Sequence, residues 1–194
     1  MKNYLLFTLL TFGLLIIGCG SKGGPDLSPE ASTKTVKNIP DWYLNTPVND
    51  GYQYAAAEAT SQSMQLAVDK ARVAAVSNLS QMIKSEWNGY TKRVQEETGL
   101  GSDSKLLDQF STTQENVISN QLENVIVKEK EIQVENSGGT RIYRIFVLVE
   151  LDENAAQDKL LAQIKADQQL YDAIKASELI DEMEQKVEAY RQRK

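Results

Sequence analysis

The fold prediction starts from residues 142–149, which read IYRIFVLV. Almost every side chain here is β-branched or aromatic, as is typical of a strand buried over most of its length. We predict this strand over residues 140–151 and a partner strand over residues 125–135. The sequence between them, Asn-Ser-Gly-Gly at 136–139, predicts a hairpin turn. Residues 128–131 of the partner alternate Lys and Glu, which indicates an edge strand protected against unwanted pairing.

A third strand is predicted upstream, at residues 52–59 (YQYAAAEA). Its small side chains suit a central strand with a helix lying closely across it. A long helix follows over residues 60–97, with Thr60 or Ser61 placed to cap it. Its apolar face is almost all alanine at first and larger further along. Gly89 is a candidate end or bend, and the Gly-rich residues 98–102 predict a break.

The rest of the chain is predicted to be helical apart from the hairpin. A second helix is expected over residues 103–122. Residues 154–194 contain no Pro or Gly, and their two apolar stripes are displaced near Ser177, which predicts a break there. The order strand, helix, helix, strand, strand, helix predicts an α+β domain. Its small, mostly antiparallel sheet would carry helices on one face, with a long C-terminal helix.

The N-terminal residues have the pattern of an export signal. Lys2 supplies the positive charge, residues 4–18 are apolar, and Gly18 precedes Cys19, the only cysteine. The apolar run is shorter than the roughly twenty residues that a membrane-spanning helix needs. Ile16, Ile17, Gly18 and Cys19 resemble the lipobox of bacterial lipoproteins. The alternative is an ordinary signal peptide with an incidental cysteine.

The lipobox resemblance implies a covalent anchor. In that family a diacylglyceryl group is attached to the cysteine sulfur, the signal is removed, and the new amine is usually acylated. We therefore predict a signal peptide at residues 1–18 and a lipidated, flexible tether at 19–38. Gly20 and Ser21 follow Cys19, and neither is an aspartate. In enteric-type sorting, the absence of aspartate at this place resembles the outer-membrane class. The inner membrane is the alternative.

Composition excludes several classes of function. The formal net charge of −6 does not suit binding to a phosphate backbone, so we expect no nucleic-acid partner. The chain has no histidine, which excludes Ser-His-Asp and Cys-His arrangements and histidine-ligated metal sites. With Cys19 used for lipid, no cysteine is left for a catalytic thiol or a metal. We expect no enzyme activity, no metal and no cofactor other than the covalent lipid.

A few side chains are candidates for chemistry. Glu129 and Glu131 lie two apart on a strand and could share acid and base roles, but an edge exposed to solvent is the favoured interpretation. Glu58 lies among alanines just before a helix, where partial burial and a local role at the helix N-terminus are favoured over catalysis. Three strand tyrosines could line a groove, although packing is the usual role: Tyr52, Tyr54 and Tyr143.

Three segments together resemble a known lipoprotein family. They are Pro-Asp-Trp at residues 40–42, GYQYAAAEA at 51–59 and the Ala-rich AVDKARVAA at 67–75. These segments, with the later hairpin that ends in Leu-Asp at 151–152, are similar to the LPP-twenty lipoproteins. That family includes relatives of the flagellar lipoprotein FlgP and of the FlgT amino-terminal domain. The resemblance covers residues 39–152 and leaves a helical extension at 153–194.

The resemblance implies an outer-membrane lipoprotein that assembles with itself or with other envelope proteins, and possible association with the flagellum is a narrower hypothesis. No catalytic residues are carried over from the family. The expected function is a non-enzymatic interaction module of the bacterial envelope. The alternative is a periplasmic lipoprotein that binds a small ligand or a peptidoglycan fragment.

Overall fold

A computed structural model describes residues 38–101, 104–137 and 139–193. This part of the chain forms a three-stranded antiparallel sheet and six helices, which confirms the predicted α+β class and element order. The elements are α1 (Asp41–Leu44), β1 (Tyr52–Ser61), α2 (Met64–Thr98), α3 (Lys105–Leu122), β2 (Ile126–Ser137), β3 (Thr140–Asp152), α4 (Glu153–Ala166), α5 (Gln168–Ile174) and α6 (Glu178–Arg193). Within the described ranges, no helix combines the length and the hydrophobicity that a membrane span requires.

The strand order is β1-β3-β2, so β3 is central and β2 lies at one edge, as predicted. The interpretation of β1 as a central strand is wrong, because β1 forms the other edge. Its alanines lie on the face that is covered by helices: Ala55 and Ala57 are buried and belong to the core between sheet and helices. Small side chains therefore indicated close helix packing correctly, but not the position of the strand in the sheet.

The two faces of the sheet are covered differently. Ile145, Val147 and Val149 of β3 point into the main core, beneath α2. Phe146 and Leu148 alternate with them, point to the opposite face and are also buried. There Tyr43 of α1 packs edge to face on Phe146, with ring centroids 5.0 Å apart. The continuous apolar run of β3 is thus explained by burial on both faces.

The helix α2 is 35 residues long and packs across β1 and β3. The predicted caps are wrong: Thr60 and Ser61 belong to β1, and the Ser63 hydroxyl accepts the Leu66 N–H at 3.4 Å. Gly89 does not end the helix, which continues to Thr98. The helix ends at the predicted break, where Gly99 takes the left-handed conformation (φ 70°) that glycine tolerates best.

The predicted C-terminal helical region is divided twice. The break near Ser177 is confirmed, and a second break lies at Asp167, between α4 and α5. The Asp167 carboxylate accepts the Leu170 N–H at 3.0 Å, so it caps the start of α5. The helices α3, α4, α5 and α6 pack on one another and on α2. Their largest fully buried side chains include Phe110, Leu160, Ile164, Leu170, Ile174 and Ile180.

Candidate functional site

The predicted lipidation site lies outside the described residues. This applies to Ile16, Ile17, Gly18 and Cys19, and to the tether as far as residue 37. Asn38, the first residue described, has a positive φ of 66°. Its carbonyl oxygen accepts a hydrogen bond from the Gln133 side chain, so the described chain begins beside β2.

Glu58 belongs to an ion-pair cluster that crosses all three strands. The Arg144 guanidinium of β3 lies 2.9 Å from the Glu58 carboxylate on β1 and 2.7 Å from that of Glu135 on β2. Glu58 is exposed, and Ser63 rather than Glu58 caps α2. The predicted partial burial and helix-capping role are therefore wrong, because the side chain points to the face opposite α2.

A second polar cluster on the same face joins buried Tyr54 and Glu150 to exposed Lys128. The Tyr54 hydroxyl donates to Glu150 Oε2 at 2.7 Å, and Lys128 Nζ lies 3.0 Å from the same oxygen. Burial raises the pKa of Tyr54. A β-bulge between Val127 and Glu129 inserts Lys128 into this position. The ammonium group balances the charge of a carboxylate that is only 8% exposed, which makes this cluster a structural element of the sheet.

Two carboxylates meet where β1, α2 and α4 converge. The Gln53 amide donates to Glu86 Oε2 at 3.2 Å and to Glu153 Oε2 at 3.0 Å. Tyr90 donates to Glu86 at 2.6 Å, and Gln157 donates to Glu153 at 2.7 Å. Burial and the neighbouring Glu86 carboxylate raise the pKa of Glu153. The two carboxylates are therefore held near each other by a common donor, the Gln53 amide.

Sequence reasoning missed this carboxylate pair, because its members are far apart in the chain. The available signal was the spacing of Glu86 from Ile83 and Tyr90, which places its carboxylate next to apolar side chains of α2. In the residues that the structure describes, no group of three or more His, Cys, Asp or Glu side chains is placed to hold a metal ion.

The outer strand β2 carries two contrasting rows of side chains. Glu129, Glu131 and Glu135, the acidic row, share one face, since they pair with Leu148, Phe146 and Ile142 of β3. The other face carries the apolar row, Val127, Ile132 and Val134, which are 42%, 42% and 53% exposed. We call the two rows together the β2 edge surface. The same-face placement of Glu129 and Glu131 agrees with the sequence pattern.

The described residues also form open grooves whose walls mix polar and apolar groups. One of about 540 Å³ lies between α4 and α6, and its lining includes Lys165, Glu184, Glu188 and Arg191. Another of about 320 Å³ is lined by Asp50, Tyr52, Asp152, Asn154, Tyr190 and Arg193.

The three strand tyrosines do not line one groove. Tyr52 lies beside the smaller groove, whereas Tyr54 is buried under the Glu150 cluster. Tyr143 pairs with Ser61 at the other end of β1 and packs on the main core. Packing therefore accounts for Tyr54 and Tyr143, and only Tyr52 presents its ring to a groove.

We found no match to this chain among known protein families, curated proteins or solved structures. The resemblance to the LPP-twenty lipoproteins stays a prediction.

Proposed function

We propose that this protein is a lipid-anchored, non-enzymatic interaction module of the bacterial envelope, held at the outer membrane through Cys19. The observation that carries the interaction role is the β2 edge surface. Edge strands offer unpaired backbone groups, and an exposed apolar row beside such an edge is a recognised feature of binding surfaces. The anchor rests on the lipobox-like residues 16–19, and a flagellar location would follow only from the LPP-twenty resemblance.

The polar clusters of the domain support a non-enzymatic role. The Glu150 carboxylate is engaged by Tyr54 and Lys128, and Glu58 is engaged by Arg144. Each of these groups is therefore used to stabilise the sheet. The Glu86 and Glu153 pair is held by hydrogen bonds from Gln53, Tyr90 and Gln157 within the junction of three elements.

The anchor is tested by metabolic labelling with a fatty acid. The wild-type chain should incorporate label and fractionate with the outer membrane, whereas a Cys19→Ala variant should remain unlabelled. Since thioether formation needs the cysteine sulfur, labelling that persists in Cys19→Ala would disprove the assignment of the anchor.

The interaction role is tested by photo-crosslinking in the intact envelope. A crosslinking amino acid at Val134 of β2 should give a discrete adduct, and the same amino acid at Val73 should not. Val73 is a matched control because it is a valine with 68% exposure on the outer side of α2. Equal adducts at both positions, or none at Val134, would contradict a role for the β2 edge surface.

A second candidate function is favoured by the groove beside Tyr52. Tyr52 is 40% exposed and lies among Asp50, Asn154 and Arg193, which offer donors and acceptors around its aromatic ring. Such a setting suits a small polar ligand such as a peptidoglycan fragment. Binding of a disaccharide-peptide fragment, lost in Tyr52→Ala and retained in Tyr43→Ala, would favour this alternative. Titration without any saturable signal would argue against it.

A further inference from the structure

The strand β2 has one side available for pairing. It is 12 residues long and pairs with β3, and no strand lies on its other side in the ranges that the structure describes. The bulge between Val127 and Glu129 interrupts only the beginning of the strand. From residue 129 onwards the register with β3 is regular, so this stretch presents a straight row of backbone donors and acceptors to an incoming strand.

Side chains along this regular stretch differ sharply between the two faces. On one face the row is Glu129, Glu131, Gln133 and Glu135. A cation stands at each end of this row: Lys128, which binds Glu150 at 3.0 Å, and Arg144, which binds Glu135 at 2.7 Å. On the other face Ile132 and Val134 are exposed. An added strand would need to match both faces, because directly opposite residues in an antiparallel pair point the same way.

A second copy of this chain does not match. When two copies of this edge pair antiparallel, a two-fold axis normal to the sheet relates them. Each face of one copy then continues the same face of the other, so the acidic row can be paired only with the acidic row. Along residues 129–135, every such register places each paired glutamate opposite another glutamate or opposite Gln133. The cation within this stretch, Lys130, lies on the other face and cannot compensate. Like charges directly opposite destabilise a strand pair, so the edge disfavours self-association.

We propose that the β2 edge surface accepts an added strand from a different protein, an extended segment in which basic side chains alternate with apolar ones. The basic side chains would face Glu129 and Glu131, and the apolar ones would cover Ile132 and Val134. Backbone hydrogen bonds supply affinity in this mode, and the alternating side chains supply selectivity. The inference rests on the proposed function and names the class of partner for the same surface.

The test uses a fluorescein-labelled peptide of ten residues that alternates lysine and valine, titrated against the full chain in a neutral detergent. We expect saturable binding by fluorescence anisotropy. A peptide alternating glutamate and valine should bind at least about tenfold more weakly, since each of its charges would oppose a glutamate. Hydrogen exchange of the complex should show slowed amides in residues 129–135 and unchanged amides in α2.

A charge reversal gives the second arm of the test. The double variant Glu129→Lys/Glu131→Lys should prefer the glutamate peptide. The matched control, Glu115→Lys/Glu123→Lys, makes the same change in net charge at exposed positions on and just after α3 and should keep the wild-type preference. The exchange measurement on the wild-type chain needs no variant, so a folding defect in either variant leaves the proposal testable.

Three results would overturn the proposal: no binding of the lysine peptide, binding without protection of residues 129–135, or a preference that the double variant does not reverse. A wild-type dimer with these amides already protected would also overturn it, in favour of self-pairing. The proposed function fails separately. If Cys19 is lipidated and Val134 crosslinks to a partner while the peptide does not bind, only the strand partner is wrong. If Cys19 is not lipidated while the peptide binds β2, only the anchor is wrong.

Discussion

The two halves of α2 form one continuous helix but pack against different kinds of element. The first half lies against the sheet and buries Ala67, Ala71 and Ala75 completely. The second half lies among helices and buries larger side chains, including Trp87 and Val94. Small side chains bring a helix axis close to a sheet, whereas large ones fill the wider space between helices. The size of the buried residue is thus set by the neighbouring element rather than by the helix itself.

One contact shows how close the first half approaches. The Asn78 side-chain amide donates to the carbonyl oxygen of Ala56 in β1 at 3.3 Å. A short side chain on a helix can reach a strand backbone only when the two elements are near each other. Further along, Gln53 of β1 still reaches Glu86 at 3.2 Å, which marks the junction between the two halves.

The largest effect is expected in the second half. Trp87→Ala would leave a cavity at a side chain that is 1% exposed, and we expect the free energy of unfolding to fall by about 3–5 kcal/mol. Urea denaturation followed by circular dichroism measures this. Trp87→Phe should lose less, about 1.5 kcal/mol at most, because the indole Nε1 has no partner among the described residues. If Trp87→Ala and Trp87→Phe lowered the free energy of unfolding equally, the volume of the aromatic ring would not be what stabilises this site.

In the first half of α2, a larger side chain at the contact with the sheet is expected to destabilise the fold by overpacking. Ala71→Leu would push α2 away from the sheet and should lower the free energy of unfolding by about 1–3 kcal/mol. The control is Ala162→Leu, at an exposed alanine of α4, which should change it by no more than about 0.5 kcal/mol. If both substitutions were equally tolerated in urea titrations, the close approach of the first half would be in doubt.

Two glycines test whether α2 is a continuous helix, and their substitutions should have opposite signs. Gly89 is helical with nothing within 4 Å of an added Cβ, so Gly89→Ala should raise the free energy of unfolding by about 0.5–1 kcal/mol. Gly99 has equal space but a φ of 70°, so Gly99→Ala should lower it by about 1 kcal/mol. Thermal unfolding of both variants distinguishes them. A loss in Gly89→Ala would indicate a bend at this position.

The last effect concerns the end of the second half of α2 and appears only in acid. The Ser177 hydroxyl, Arg93 and the Leu179 N–H bind the Glu97 carboxylate and lower its pKa to about 2 from a usual 4.5. The folded state binds the ionised form better, so this stabilisation is complete above about pH 4.5 and is lost as the pH falls towards 2.

Urea midpoints measured at pH 5 and at pH 2.5 check this dependence on Glu97. Glu97→Gln should reduce the loss between the two pH values. Glu96→Gln is the control, since Glu96 is exposed and contacts Lys92 only at 3.9 Å. An unchanged pH dependence in Glu97→Gln would assign the acid sensitivity to other carboxylates.

Local patterns were enough to predict the main elements. The β-rich run at 142–149 and the Gly-containing turn before it led to the hairpin, and the phase slip near Ser177 led to a confirmed break. Both signals lie within a few residues of what they determine. The break at Asp167 follows from a cap that the apolar pattern alone does not distinguish from a helical aspartate.

Features that depend on distant residues could not be predicted in the same way. The contact of Lys128 with Glu150 requires the bulge in β2, and a bulge leaves no clear pattern in a sequence of alternating charges. The meeting of Glu86 with Glu153 depends on how β1, α2 and α4 converge. The position of β1 at an edge depends on which side of β3 it joins, and alanine-rich sequence is compatible with either side.

The continuity of α2 also has a consequence for how the protein unfolds. At 35 residues the helix is about 52 Å long, and its two ends pack on different elements of one core, the first on the sheet and the second on the other helices. Loss of the sheet would expose the alanine face of the first half, and loss of the surrounding helices would expose Trp87. Because both contacts belong to one core, neither can open without exposing part of the helix that the other needs. We expect a single cooperative transition, with circular dichroism and tryptophan fluorescence giving the same midpoint.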